Sequence, residues 1–235
     1  MTIYVGAEKG LQMITVMALI QTAIEITEKT VENNFDAMQI AASGDVKGAV
    51  FNRVIKCGRH AYNYAQTDIE LDVISQFFFP DISSSMTAAS SSAFNLAMGL
   101  PGPLIADLNA ILCLQNTVVA PPMNEGGIKW MSILRKRPDI SSEDFQDHWF
   151  NLHSSLAKRL VHISGCRQNL VLDGPRDAKG HMMVDGVLEL WFPDNDSFET
   201  AFQTAAGKTL MIHANEFAAE ISTFMTSPVE IIGKS

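Results

Sequence analysis

Asp185-Gly186-Val187-Leu188-Glu189-Leu190-Trp191-Phe192-Pro193-Asp194 lines up without a gap on Asp72-Val73-Ile74-Ser75-Gln76-Phe77-Phe78-Phe79-Pro80-Asp81. Both stretches carry an Asp, a β-branched residue, Gln or Glu, two aromatics and then Pro-Asp. Such a run reads as a strand that proline stops, because proline has no amide proton to give the ladder. Gly48-Ala49-Val50-Phe51-Asn52-Arg53-Val54-Ile55 matches Gly165-Cys166-Arg167-Gln168-Asn169-Leu170-Val171-Leu172 in the same way, with Gly and Asn at the same offsets. Self-similarity at a fixed offset is the mark of a repeated unit.

The rest of the chain falls into place around these pairs. Strand patterning covers 12–20, 48–55, 69–79 and 108–118, with helices expected from Thr27 and over Ser83 to Met98. Pro121-Pro122-Met123-Asn124-Glu125-Gly126-Gly127 stacks turn formers and reads as a linker. Strands then follow on Lys129 to Leu134, Gly165 to Leu172, Asp185 to Phe192 and Thr223 to Ile231, with helices from Ser141 and Ser197. The order is βαββαβ, twice. The expected units are residues 1–122 and residues 127–235. Helices cover one face of each four-stranded sheet, so the other, largely apolar faces should close on each other, and one chain then builds what two identical subunits would otherwise build.

One helix start carries the chemistry. In Ser141-Ser142-Glu143-Asp144-Phe145-Gln146-Asp147-His148-Trp149-Phe150-Asn151-Leu152-His153, Ser141 and Asp144 form a capping box, and Ile140 and Phe145 a hydrophobic staple. Phe145, Trp149, Leu152, Leu156 and Leu160 follow one α-helical stripe, which puts His148 on one edge and His153 on the other. Laying Phe145 on Val31 sets Asn34 against His148, Phe35 against Trp149 and Gln39 against His153, so the first unit keeps the shape and lacks both imidazoles.

Composition narrows the function classes. With 47% apolar and 18% charged residues the chain is globular, and a formal charge of −9 leaves no basic stripe for nucleic acid or an anionic membrane surface. Cys57, Cys113 and Cys166 are too few and scattered for a disulfide framework or a zinc site, which fits a reducing, cytoplasmic compartment. Leu11 to Ile20 is too short for a membrane span and lacks the basic flank of a signal peptide. Gly-rich phosphate loops, His-x-His or Cys-x-x-Cys metal spacings and Gly-x-Ser-x-Gly elbows do not occur, so the reading assigns no metal and no cofactor.

Lys129 to Leu134, Arg135-Lys136-Arg137-Pro138-Asp139-Ile140, Phe145, His148-Trp149, His153, Leu156-Ala157, Gly165, Gln168-Asn169 and Asp185 to Phe192 resemble the EthD family. The first half resembles it only through the internal repeat. The resemblance implies an α+β protein of two ferredoxin-like βαββαβ repeats that form an intramolecular dimeric α/β barrel, with a small apolar cavity between sheet and helices. It also implies cofactor-independent lyase or isomerase chemistry on an aromatic or lactone-like small molecule. Carried over to this chain, His153 would be the catalytic general acid or base, with His148 assisting it.

Imidazole suits that role because it titrates near neutral pH. Glu189 joins the candidates if it faces the cavity, where burial would raise its pKa. Trp191, Trp149 and Asn169 complete the substrate-binding candidates, although Trp191 also reads as core and Asn169 recurs as Asn52. His162, His181 and His213 read as solvated. The competing readings are a protein that carries a hydrophobic small molecule unchanged, and a haem-dependent monooxygenase on a related barrel. The chain is expected to be a monomeric pseudo-dimer or a homodimer.

Overall fold

The structure is a computed structural model that describes residues 13–27, 29–30, 45–58, 64–67, 69–90, 105–122 and 126–232. The strands of the first half are β1 (Ile14–Thr22), β2 (Gly48–Gly58), β3 (Val73–Phe79) and β4 (Ile105–Val119), with helix α1 (Ile82–Ala89) between β3 and β4. Of the helix expected from Thr27 only the start is described, residues 29–30 being helical; the rest, with the positions set against His148 and His153, lies outside the described residues, as does the expected continuation of α1 to Met98. The second half runs β5 (Ile128–Lys136), α2 (Ser142–Asp147), a π-helical turn (His148–His153), α3 (Ser154–Ala157), β6 (Gly165–Asp173), β7 (Gly186–Phe192), α4 (Asn195–Gln203), α5 (Ala205–Ala214) and β8 (Ala218–Ile232).

All eight strands close into one antiparallel barrel in the order β1-β3-β2-β8-β5-β7-β6-β4. Read around the ring, the halves have the same internal order, 4-1-3-2, which is that of a ferredoxin-like sheet. They are joined by β2 against β8 and β4 against β6. The fold is α+β, two ferredoxin-like halves forming one α/β barrel. The repeated Pro-Asp segments also behave alike. Asp81 caps α1 by accepting from the amide of Ser84, and Asp194 caps α4 by accepting from that of Ser197. The cap starts α4 at Asn195, two residues before the expected Ser197.

Both faces of β1 and β3 are buried. That is why β1 and β3 are apolar almost throughout. An eight-stranded barrel has an interior that side chains just fill. Met17, Leu19, Ile74, Ile111, Met131, Ile133, Val187 and Phe224 fill part of it.

The interior is not purely apolar, which departs from the expected meeting of apolar faces. Lys129 reaches into it and donates to Asn52 Oδ1 and Gln76 Oε1, both at 2.8 Å, with Glu189 Oε2 at 2.7 Å. Asn169 Nδ2 donates to the other Glu189 oxygen at 2.9 Å. Asn52 Nδ2 donates to Gln76 at 2.9 Å. Arg167 stands over the Phe78 and Trp191 rings, and Lys129 over Trp191. The charges are tolerated because each is paired or stacked inside the barrel.

Candidate functional site

The helix that begins at Ser141 has the expected capping box, with Ser141 Oγ accepting from the Asp144 amide and the Asp144 carboxylate accepting from the Ser141 amide. Its continuation is not a regular α-helix. In an uninterrupted α-helix the Trp149 carbonyl would accept from the His153 amide. Here it accepts from Gln168 Nε2 of β6 at 2.8 Å and from Ser154 Oγ at 3.3 Å. Ser154 Oγ also donates to Gln168 Oε1 at 2.8 Å. A side chain inserted at the ladder is a recognised cause of such an interruption, and the π-turn adds a residue to the helical repeat.

The extra residue corrects the expected stripe. Leu152, placed on the buried face by α-helical spacing, is 52% exposed, whereas His153 is only 4% exposed. The buried sequence becomes Phe145, Trp149, His153, Ala157 and Leu160. His153 thus takes the core-facing place rather than an edge. His148 stays partly exposed, 4.0 Å from Glu216.

His153 lines a cavity of about 70 Å³ between the outer face of the second-half sheet and its helices. The floor is Ser132 and Leu134 of β5, Leu188 and Leu190 of β7, and Ile221 and Thr223 of β8. Ser132 and Thr223 form a hydroxyl pair at 2.8 Å. Phe198 and Phe202 of α4, Leu210, Met211 and Ala214 of α5, and Phe217 form the roof. Gly58, Tyr64 and Gln66 of the first half add to the wall, with Tyr64 donating its hydroxyl to the Met211 carbonyl. Ligand pockets run to about 300 to 1,000 Å³, so admitting an aromatic ring requires roof side chains such as Met211 and Phe202 to shift.

His213, read from sequence as solvated, is buried at 5% exposure and stacks beside His153. The two rings meet through their Nδ1 atoms at 3.2 Å, so one Nδ1 donates and the other accepts. No other hydrogen bond holds His153 among the described residues, which leaves its Nε2 for a ligand. Burial, with His213 beside it, pulls the His153 pKa down from 6.5 to about 3. Burial lowers His213 as well, against the opposing pull of Glu216. Both rings are therefore neutral near pH 7. The sequence did hold a signal for His213: Leu210, His213, Ala214 and Phe217 share the i, i+3, i+4, i+7 spacing of a buried stripe. His162 and His181 are exposed, as read.

The remaining candidates lie elsewhere. β7 turns Leu188 and Leu190 toward the cavity and Glu189 and Trp191 into the barrel, because side chains alternate along a strand. Glu189 and Asn169 belong to the Lys129 network and do not meet His153. Burial would raise Glu189, as the sequence reading supposed, but Lys129 and Arg167 outweigh it and hold the carboxyl at about 2. Trp149 is wholly buried against β7, where a Cβ on Gly186 would come within 2.4 Å of its ring. Cys113 and Cys166 are buried thiols, pushed up by burial and then by Glu189, Cys166 to about 12. Both are inert at neutral pH. No helix among the described residues is long and apolar enough to cross a membrane.

Residues 137–220, within the second half of the chain, match the EthD domain. No curated protein matches the sequence. Among solved structures, an anthrone oxidase-like protein aligns over 97% of this chain and 96% of its own at 9% identity, with a TM-score of 0.60. A chlorite dismutase variant from Candidatus Nitrospira defluvii aligns over 92% and 91% at 12% identity, TM-score 0.53. An EthD family protein from Bacillus halodurans aligns over 43% of this chain and 96% of its own at 21% identity, TM-score 0.35. The first two share the barrel fold, and a shared fold hosts unrelated chemistries.

Proposed function

We propose, from the EthD domain of residues 137–220 and the cavity beside His153, that this protein is an enzyme acting on a small, flat, largely apolar acid, phenol or lactone. His153 is its general acid or base. The reaction class is a lyase or isomerase step such as decarboxylation, dehydration or ring rearrangement. The observation that carries this reading is a single buried imidazole, turned by a π-helical turn into an apolar cavity and backed by a second imidazole.

Such a cavity suits proton movement on a carbon acid. His153 Nε2 takes or gives the proton, His213 holds the ring through Nδ1, and the leucines and phenylalanines exclude water. The Ser132 and Thr223 hydroxyls offer hydrogen bonds to a ligand oxygen. Burial depresses the His153 pKa, and a carboxylate or phenolate brought beside the ring pushes it back up, so an acidic substrate equips the imidazole for its own conversion. His148, outside this cavity, acts through its contact with Glu216 and His213 rather than on substrate. We also read residues 1–122 and 127–235 as two copies of one unit. On that reading the earlier copy contributes cavity wall, and carries Asn34 and Gln39 at the positions set against His148 and His153.

The test is turnover of a panel of aromatic acids and lactones by the wild type and by His153→Ala and His153→Gln. Loss of general acid or base assistance is expected to cost about 10²- to 10⁴-fold in rate. A folded His153→Ala that converts substrate at the wild-type rate contradicts the reading. Ligand that binds and is recovered unchanged from the wild type after long incubation favours a carrier instead.

A further inference from the structure

A second cluster sits behind the imidazole pair, on the side away from the cavity. One ring nitrogen of His148, one of His213 and a Glu216 carboxylate oxygen all lie within 4.8 Å of one another. Glu216 Oε2 is 3.7 Å from His213 Nε2 and 4.0 Å from His148 Nδ1. These separations exceed hydrogen-bond length, yet the three atoms converge on one point. His213 is 5% exposed and its Nε2 has no hydrogen-bond partner. A buried ring nitrogen left without a partner normally has something to bind.

We propose that His148, His213 and Glu216 form a site for a divalent transition-metal cation, of which zinc is the natural probe. In a tetrahedral zinc site with bonds of about 2.0 to 2.1 Å, neighbouring ligand atoms stand about 3.3 to 3.4 Å apart. The spacings of 3.7 and 4.0 Å need to contract by about 0.3 to 0.7 Å, and the spacing between the two imidazole nitrogens, within 4.8 Å, by up to about 1.5 Å, a movement that the exposed side chains of His148 and Glu216 can supply. Two imidazoles and one carboxylate suit zinc, cobalt, nickel or copper rather than magnesium or calcium. The fourth position faces solvent and takes water. Sequence spacing did not reveal the set, because His148 stands 65 positions before His213 and only His213 and Glu216 are near neighbours in the chain.

A cation on His213 Nε2 has one structural consequence. It places the ring proton of His213 on Nδ1, which then donates to His153 Nδ1 across the 3.2 Å contact. His153 in turn carries its proton on Nε2, the nitrogen left for the cavity, so the cation selects the donor form of that imidazole. This coupling rests on the proposed role of His153; cation binding does not.

Protein dialysed against chelator and titrated with zinc chloride by calorimetry is expected to bind one equivalent. His148→Ala and Glu216→Gln are each expected to weaken binding at least ten- to a hundredfold. Both positions are at the surface, and unchanged thermal melts in chelator would show that the variants fold. His181→Ala, at an exposed histidine outside the cluster, is expected to bind zinc as the wild type does. Cobalt chloride in place of zinc should give visible absorption bands of a low-symmetry site in the wild type and lose them in both variants. Histidine ring ¹⁵N spectra should show His213 bound through Nε2 and His153 protonated on Nε2 once zinc is present. Wild-type protein without a saturable zinc site, or binding that neither substitution weakens, overturns the site. Normal zinc binding with a fully active His153→Ala sinks the catalytic reading instead, and zinc binding that leaves the His153 ring unchanged sinks the coupling.

Discussion

The two halves of the barrel share strand order, cap geometry and the Asn52 and Asn169 pair, and they differ in what they place at equivalent registers. Where the second half has Lys129, Arg167 and Glu189, the first has Thr15, Val50 and Gln76, as their strand partners show. One half supplies the ions and the other the neutral acceptors that complete them, since Lys129 is held by Asn52 and Gln76 as well as by Glu189. The outer faces differ too. Gln168, which holds the π-turn open, corresponds to Phe51, which has no group to offer a helix carbonyl. A duplicated-looking backbone thus separates two tasks: the interior network fastens the halves together, and one polar strand residue turns a histidine inward.

The largest effect is expected from breaking the interior pair. Lys129→Met leaves Glu189 buried with only the more distant charge of Arg167, and breaking a buried ion pair costs about 3 to 5 kcal/mol, readable by denaturant unfolding. The double variant Lys129→Met, Glu189→Gln brings the second half closer to the neutral first half and should recover most of that loss. The pair also fixes a pH dependence. Lys129 and Arg167 hold the folded Glu189 near 2 against an ordinary value of 4.5, so the unfolded chain takes up the proton first. The contribution of Glu189 is complete above about pH 4.5 and is lost as pH falls through the folded value. Acid titration of stability should show this slope in the wild type and not in the double variant.

Next in size is Gln168→Leu, which makes the second half resemble Phe51 of the first. It strips the Trp149 carbonyl and Ser154 of buried partners, at about 1 to 3 kcal/mol, and removes the reason for the π-turn. A regular helix returns Leu152 to the core face and turns His153 to the edge, so turnover falls although no catalytic atom has been deleted. Gly186→Ala tests the same packing from the sheet, because its Cβ meets the Trp149 ring. Overpacking of that kind costs about 1 to 3 kcal/mol, whereas the equivalent first-half position already carries Val73. The smallest expected effect is shared. Asp81→Ala and Asp194→Ala should each cost about 1 kcal/mol, and unequal losses would show that the halves rely differently on their capped helices.

Much of the fold was legible because it is written in local chemistry. Pro80 and Pro193 ended strands, and Ser141 with Asp144 announced the histidine helix. What escaped reading depended on partners distant in the chain. Leu152 and His153 exchanged places because Gln168, on a strand, captured a helix carbonyl. Glu189 looked like a cavity acid until strand alternation carried it into the barrel to meet Lys129. His213 sat on a readable apolar stripe, but only the packing of α5 against the π-turn shows that it faces His153.

The most direct measurement is a histidine-selective NMR titration of the wild type with salicylate, a small flat aromatic acid of the proposed class. The His153 and His213 ring signals should shift together and saturably, with those of the exposed His162 and His181 unmoved. Saturable binding that shifts the exposed rings, or none of them, would contradict the assignment of the cavity beside His153 as the place where this protein meets its substrate.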